Sequence, residues 1–257
     1  MNVNQLKTFT PIAHTSALSF MEELSKALSL DQKDVSLDVG CGVGTLTRLL
    51  SERVGRVTAF DISLEMIKEA KEISTAGNIT YSVGDATKLS TYEEYTNSFD
   101  KVVAHFALHW MKDFKTALEG IHQSLKPGGQ CYLDMGQHNP DIIDTIKVLN
   151  SYTSPKWETY MKGYEHAYYT FKGSVDDYKQ MLASIGFKDI DCKQERFKLP
   201  LTNDEGKAFL PNFMGQLERF PEDRREEYMK DALTFAFGTD QGEFFISGSL
   251  ITAIARR

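Results

Sequence analysis

Val35-Ser-Leu-Asp-Val-Gly40-Cys-Gly-Val-Gly44-Thr-Leu-Thr-Arg-Leu-Leu50 carries the first signal. Asp34 to Val39 reads as a short buried strand that runs straight into glycines. Thr45 to Val54 then has apolar residues at helical spacing. Gly40, Gly42 and Gly44 lie between the two. Lacking a Cβ, such residues let the chain turn tightly and let backbone approach a ligand closely.

The same alternation continues outward. Arg56–Asp61, Ile79–Val83, Phe99–Ala104 and Gln130–Met135 read as strands, while Leu64–Ile73 and Phe114–Leu125 read as helices. Lys126-Pro127-Gly128-Gly129 stops the second of these. Strand and helix taking turns at short range predict an α/β fold, a mostly parallel sheet covered on both faces. Upstream, Leu18, Met21, Leu24 and Leu28 predict a helix over Thr15–Leu28. Downstream the pattern loosens. Asp141–Asn150 and Ser174–Ile185 read as helices, the latter with Ser174 as N-cap and Gly186 as C-cap. Phe187–Leu199 and Phe244–Ala255 read as strands, and Thr202–Phe237 as one or two helices.

In such sheets ligands bind beyond the carboxyl ends of the strands, where the strand order reverses. The glycine turn follows strand one at once. Asp61 closes strand two about 20 residues on, where an acid can accept from ribose hydroxyls. Dinucleotide sites prefer Gly-x-Gly-x-x-Gly, with pyrophosphate on the helix N-terminus. Here the third glycine comes one residue early and Thr45 takes its place, a tighter loop that suits a cofactor without phosphates. Gly84-Asp85-Ala86 adds an acid at the end of strand three, suited to an adenine amino group. Any one of these acids is equally an ordinary loop residue; the argument rests on the set.

Bulk properties narrow the partners. The chain has 257 residues, 41% hydrophobic and 25% charged, an ordinary globular balance. A net charge of −7 disfavours a phosphate backbone as partner, so nucleic acid is not expected. Cys41, Cys131 and Cys192 are too scattered for a disulfide framework or a metal set, and no metal is expected. Met1–Pro11 lacks a signal-peptide run, and no stretch reaches the roughly 20 apolar residues of a bilayer span. These features point to a cytoplasmic protein without membrane partners, of open oligomeric state. It is expected to be one domain: a helical segment 1–33, a core 34–135, cap insertions at 136–173 and 202–240, and final strands at 187–200 and 243–256.

Leu37-Asp-Val-Gly-Cys-Gly-Val-Gly, Phe60-Asp-Ile-Ser with Met66, Gly84-Asp-Ala, Phe99-Asp-Lys-Val-Val and Leu125-Lys-Pro-Gly-Gly together resemble the successive motifs of class I methyltransferases that use S-adenosylmethionine (SAM). The resemblance covers about Val35 to Met135. It implies a Rossmann-like, doubly wound sheet of seven strands, with SAM as cofactor and S-adenosylhomocysteine as product. By position it implies Asp38, Gly40, Cys41, Gly42 and Gly44 under the methionine end and Asp61 on the ribose. It places Ile62 beside adenine and Asp85 with Ala86 at the adenine edge, counts Met66 among the cofactor-binding residues, and sets His105 at the strand end beside the sulfonium.

The segment Ala104-His-Phe-Ala-Leu-His-Trp110 ends strand four and so faces the reaction. Leu108-His109-Trp110, followed by Leu125-Lys-Pro-Gly-Gly, is similar to juvenile hormone acid and trans-aconitate methyltransferases. Both esterify small carboxylic acids. The resemblance gives Trp110 the task of holding the substrate carboxylate and offers Gln5 as its helper. It extends to the Phe209–Asp231 layout. A carboxylate is ionised at neutral pH and needs no base, and an indole N–H only donates. The aromatics from Tyr152 to Phe171, with Phe209, Phe213 and Phe220, are expected to form an apolar lid over a partly apolar acid.

Competing readings stand beside this one. Trp110 is equally a packing residue. His105 or His109 can be a general base for a hydroxyl, amine or carbon acceptor, or can pack on the cofactor. His122 reads as a surface residue, His138 lies near the end of strand five, and His14 and His166 have no assigned place. Glu222-Asp-Arg-Arg-Glu-Glu reads as a solvated helix start. A protein that binds SAM without catalysis is the reading from another class.

Overall fold

The structure, a computed structural model, describes residues 18, 20–139, 144–202, 205–207, 210–238 and 244–257. Gln5, His14 and Phe209 lie outside the described residues. The chain forms two compact units. The larger holds the described residues of 10–138, 169–195 and 250–257; the smaller holds those of 139–168 and 196–249.

Seven strands form one sheet in the order β3-β2-β1-β4-β5-β7-β6. They are β1 (Val35–Val39), β2 (Arg56–Asp61), β3 (Ile79–Val83), β4 (Phe99–Ala104), β5 (Leu125–Gln137), β6 (Lys188–Leu201) and β7 (Phe244–Arg256). The pairs β1–β2, β2–β3, β1–β4 and β4–β5 are parallel. The chain works outward from β1 to β3, then returns to β4 on the other side of β1. The order therefore reverses between β1 and β4, where α/β sheets bind ligands.

Successive residues of a strand point to opposite faces, and the two faces of the sheet carry separate cores. Leu37, Val39, Val102, Ala104 and Leu133 join the core that also holds Leu118, Ile121, Tyr178 and Leu182. The last four lie on α4 (Phe114–Ser124) and α7 (Val175–Ile185). Val57, Ala59, Val103 and Tyr132 join the other core. There they meet Met21, Leu24 and Leu28 of α1 (20–28), Leu46 and Leu50 of α2 (Thr45–Ser51), and Ile67 and Ala70 of α3 (Leu64–Ile73). β1 and β4 are buried on both faces, so even their polar members Ser36, Asp38 and Lys101 are enclosed.

The caps follow the sequence signals. Ser174 and Asp177 form a reciprocal capping box at α7, and Gly186 ends it at φ 117°. Other boundaries differ. β5 begins at Leu125 rather than Gln130, because Lys126–Gly129 is taken up as a bulge opposite the Phe99–Lys101 step of β4. His122 is half-buried rather than superficial. Its ring meets Phe187 edge-on at 4.9 Å, and its Nε2 lies 3.0 Å from where a Cβ on Gly186 would stand.

In the smaller unit, α5 (Thr145–Ser151) and the short α6 (Glu158–Met161) precede a broken stretch. The one or two helices expected over Thr202–Phe237 are met by helical residues 205–207 and by α8 (Glu222–Phe237), with 3₁₀ turns at Leu210–Phe213 and Gly215–Arg219 between them. Pro211 and Pro221 lack the N–H that would continue a helix. Trp157, Phe220 and Tyr228 are fully buried. Tyr228 stacks on Phe220 at 4.2 Å and meets Trp157 edge-on at 5.5 Å. Trp157 Nε1 donates to Asp231 at 3.0 Å. Trp157 and Phe220, expected in an apolar lid, instead form with Tyr228 the core of their own unit. Phe171 belongs to the larger unit, edge-on to Tyr178 at 5.2 Å.

Candidate active site

Asp38 ends the buried run of β1 and is itself buried. The Thr47 hydroxyl donates to Asp38 Oδ2 at 2.6 Å from α2. Burial raises the Asp38 carboxyl to about 6, against the opposing effects of Thr47 and His105. The turn that follows hangs on β2, where the amides of Gly40 and Cys41 both donate to the Phe60 carbonyl, at 2.9 and 3.0 Å. Gly40 and Gly44 both have φ 73°. A Cβ on Gly40 would lie 2.6 Å from the Ala107 side chain, and one on Gly44 would lie 2.4 Å from the Tyr81 hydroxyl. Gly42 is different: its φ is 55°, yet a Cβ there would meet nothing within 4 Å. Gly40 and Gly44 are thus needed for packing, whereas Gly42 borders open space. Burial, then Asp38 and Asp61, push the Cys41 thiol far up, so it stays protonated and is no nucleophile.

Asp61 is oriented by backbone. Gly42 N–H donates to its Oδ2 at 3.0 Å, and Ser63 N–H donates to its Oδ1 at 2.9 Å. Each carboxylate oxygen keeps a further lone pair for an outside donor. Beyond it, Ile62 is 72% exposed and Val83 51% exposed, apolar surface at the ends of β2 and β3. Met66 is buried in the first turn of α3, where its N–H donates to the Ser63 hydroxyl. Asp85 caps its own 3₁₀ turn, accepting from Thr87 N at 2.9 Å and Thr87 Oγ1 at 2.7 Å. Ala86 beside it is buried.

The end of β4 separates the two histidines. His109 is buried, and burial depresses its imidazole to about 4, so it is neutral at neutral pH. Its carbonyl accepts from Tyr169 N at 2.7 Å. Trp110 is half-buried, its ring 5.5 Å from that of His109. His105 keeps part of its side chain exposed, and its Nδ1 bonds Asp134 Oδ2. Asp134 is 1% exposed, and its Oδ1 accepts from the Thr252 hydroxyl at 3.2 Å. Phe20 stacks flat on the His105 ring at 3.7 Å. Asp134, Thr252 and Phe20 escaped the sequence reading. Asp134 alone left a trace there, as an acid inside the apolar run Cys131–Met135; Thr252 and Phe20 left none.

The donor and acceptor set at β1 and β2 fits a nucleoside cofactor. Open space beside Gly42, an acid held with spare lone pairs and exposed apolar side chains at the next strand ends meet the needs of a ribose and a flat base. Among the described residues no three His, Cys, Asp or Glu side chains are grouped to hold a metal ion, and no helix is long and apolar enough to cross a membrane.

The doubly wound sheet and this strand-end site define a nucleoside-cofactor enzyme of α/β type. Residues 37–133 match the family described as Methyltransferase domain. Juvenile hormone acid O-methyltransferase of Drosophila melanogaster is 30% identical over 250 residues, covering 88% of this chain and 82% of that protein. Malonyl-[acyl-carrier protein] O-methyltransferase of Priestia megaterium is 30% identical over 131 residues, 49% of this chain and 46% of that protein. Among solved structures, the YcgJ protein of Bacillus subtilis has a TM-score of 0.63 at 16% identity, over 92% of this chain and 97% of that one. The chain belongs to the class I SAM-dependent methyltransferases, and its cofactor is SAM.

Proposed function

We propose that this enzyme methylates the carboxylate of a small, partly apolar organic acid, releasing a methyl ester. The observation that carries the reading is the breadth of one likeness. The likeness takes in 88% of this chain, well beyond the 37–133 core, and the relative is named for an acid. The chemistry of the β4 end supports it. Bound SAM supplies a methyl on a cationic sulfur, and transfer to a carboxylate oxygen leaves the C–S electron pair on sulfur and moves no proton. The protein therefore has to bind, orient and exclude water rather than accept a proton.

On this reading Asp61 accepts from the ribose hydroxyls, and Ile62 with Ala86 flanks the adenine, Asp85 taking its amino edge. The turn Gly40-Cys41-Gly42 lies under the methionine moiety, and ionised Asp38 faces its positive charges. Trp110 donates its indole N–H to one oxygen of the acceptor. His105 lies beside the transferring methyl. His109, buried and depressed to about 4, supports the site by packing.

One observation favours a second reading. A histidine held on a buried carboxylate is also the arrangement of a general base, and His105–Asp134 suits a hydroxyl or amine acceptor whose proton passes to Nε2. A labelled-methyl assay over a panel of apolar acids, alcohols and amines separates the two. Carboxyl transfer gives a product that mild alkali hydrolyses, releasing labelled methanol; an alkali-stable product refutes it.

A further inference from the structure

A carboxylate enclosed as fully as Asp134 needs a reason to be there. Its neighbours in β5 are apolar and buried: Leu133 on one side and Met135 on the other. A buried charge is tolerated when each oxygen is satisfied. Here one oxygen takes the Thr252 hydroxyl from β7 and the other takes His105 Nδ1 from the end of β4. The Tyr132 hydroxyl is pushed up by burial first and by the Asp134 charge second, so it stays protonated and adds no negative charge. No Lys or Arg forms an ion pair with Asp134 among the described residues.

An ionised carboxylate only accepts, so the nitrogen facing it must carry the proton. The imidazole then has one tautomer, with Nδ1–H on Asp134. The ring has little freedom to turn away, because Phe20 lies flat on its face at 3.7 Å, 11° from parallel. Phe20 in turn meets Tyr132 edge-on at 4.9 Å. The ring is thus fixed in plane by the acid and out of plane by the aromatic.

We propose that Asp134, braced by Thr252, is a positioning residue for methyl transfer: it locks His105 as the Nδ1–H tautomer and leaves Nε2 as the edge presented to the acceptor. Placing the acceptor at His105 rests on the reading given under Proposed function; the tautomer does not. Fixed orientation of a ring beside the reacting atoms is what turns proximity into rate, and a partner behind a histidine sets which nitrogen is available. For a carboxylate acceptor the device serves the doubly protonated ring, in which Nδ1–H stays on Asp134 and Nε2–H donates to the acceptor oxygen. It would equally serve a hydroxyl, which can give its proton to the Nε2 lone pair.

The test uses the full-length enzyme with SAM and three readouts: the ¹⁵N imidazole spectrum of His105, the SAM Kd by calorimetry, and kcat on the best acid of the panel. The wild type is expected to show Nδ1 protonated and hydrogen-bonded. Asp134→Asn is expected to lower kcat at least about tenfold with the SAM Kd within about threefold, the profile of a positioning loss. Thr252→Val, nearly isosteric, is expected to shift the His105 resonances in the same direction with a smaller loss of kcat. A wild-type spectrum with Nδ1 unprotonated overturns the proposal even if Asp134→Asn does not fold. Wild-type kcat in Asp134→Asn overturns it as well. If the wild type transfers methyl to no acid, the carboxylate reading falls while the spectrum still decides this one.

Discussion

Asp38→Asn is expected to stabilise the apo protein while weakening its hold on SAM. Burial raises the Asp38 carboxyl from 3.8 to about 6. The folded state thus holds the proton more tightly than the unfolded chain does. Between these two values the unfolded chain has lost its proton and the folded protein has not, so stability falls as pH rises through this window. Once both states are ionised the full cost is in place, about 3 kcal/mol for a shift of about two units. Asparagine keeps an acceptor for the Thr47 hydroxyl and carries no charge. Its own packing offset does not depend on pH, so the change in the difference between variant and wild type is the clean quantity. At a pH of about 5 the linkage relation gives a penalty of about 1.6 kcal/mol for the wild type, and at about 7.5 it gives about 3 kcal/mol.

The advantage of Asp38→Asn should therefore grow by about 1.4 kcal/mol between those two pH values, measured by urea denaturation of the larger unit. The difference is needed because His109 runs the other way. Its folded value of about 4 lies below the usual 6.5, so stability is lost as pH falls through that range, and the two ramps offset one another in the wild type. In the same experiments SAM should bind wild-type enzyme more tightly as pH rises through about 6, because a cationic ligand is best met by ionised Asp38. The variant should bind weakly at both pH values. A stability difference that stays constant with pH would refute the assignment of the buried charge to Asp38.

Other substitutions separate packing from ligand contact. Gly40→Ala places a Cβ 2.6 Å from Ala107 and should cost about 1–3 kcal/mol in urea, with loss of SAM binding. Gly42→Ala meets no neighbour and should cost only about 1 kcal/mol of backbone strain, while calorimetry shows the SAM Kd rising about tenfold or more. Asp61→Asn must turn an amide N–H₂ toward the Gly42 or Ser63 N–H, and should weaken SAM about tenfold with little change in kcat at saturating cofactor. Trp157→Ala removes a fully buried ring bonded to Asp231. It should destabilise the smaller unit by about 3–5 kcal/mol, read as an early denaturation step in far-UV circular dichroism, with SAM binding kept.

The sequence alone determined the parts that depend on neighbours along the chain. Apolar runs two-faced in period, glycines where φ must be positive, and Ser174 with Gly186 at the ends of one helix are local requirements, and they were met where the spacing put them. The mostly parallel sheet followed from the short-range alternation, because parallel neighbours need a crossover; the strand order itself came only with the folded sheet. The acid at the end of β2 was legible for the same reason: Asp61 reaches Gly42 across adjacent strands of one β–α–β unit.

Tertiary structure decided what depends on residues far apart in sequence. His105 and His109 looked alike as titratable groups four residues apart. Only burial makes one of them neutral, and only Asp134 gives the other a partner, 29 residues away. Thr252, 118 residues beyond Asp134, reaches it only because β7 lies beside β5 in the sheet. The aromatics after residue 150 had a composition that a lid and a core share. The packing of Trp157, Phe220 and Tyr228 against one another made them a core. Local chemistry is written along the chain, but desolvation and long-range pairing exist only once the chain has folded.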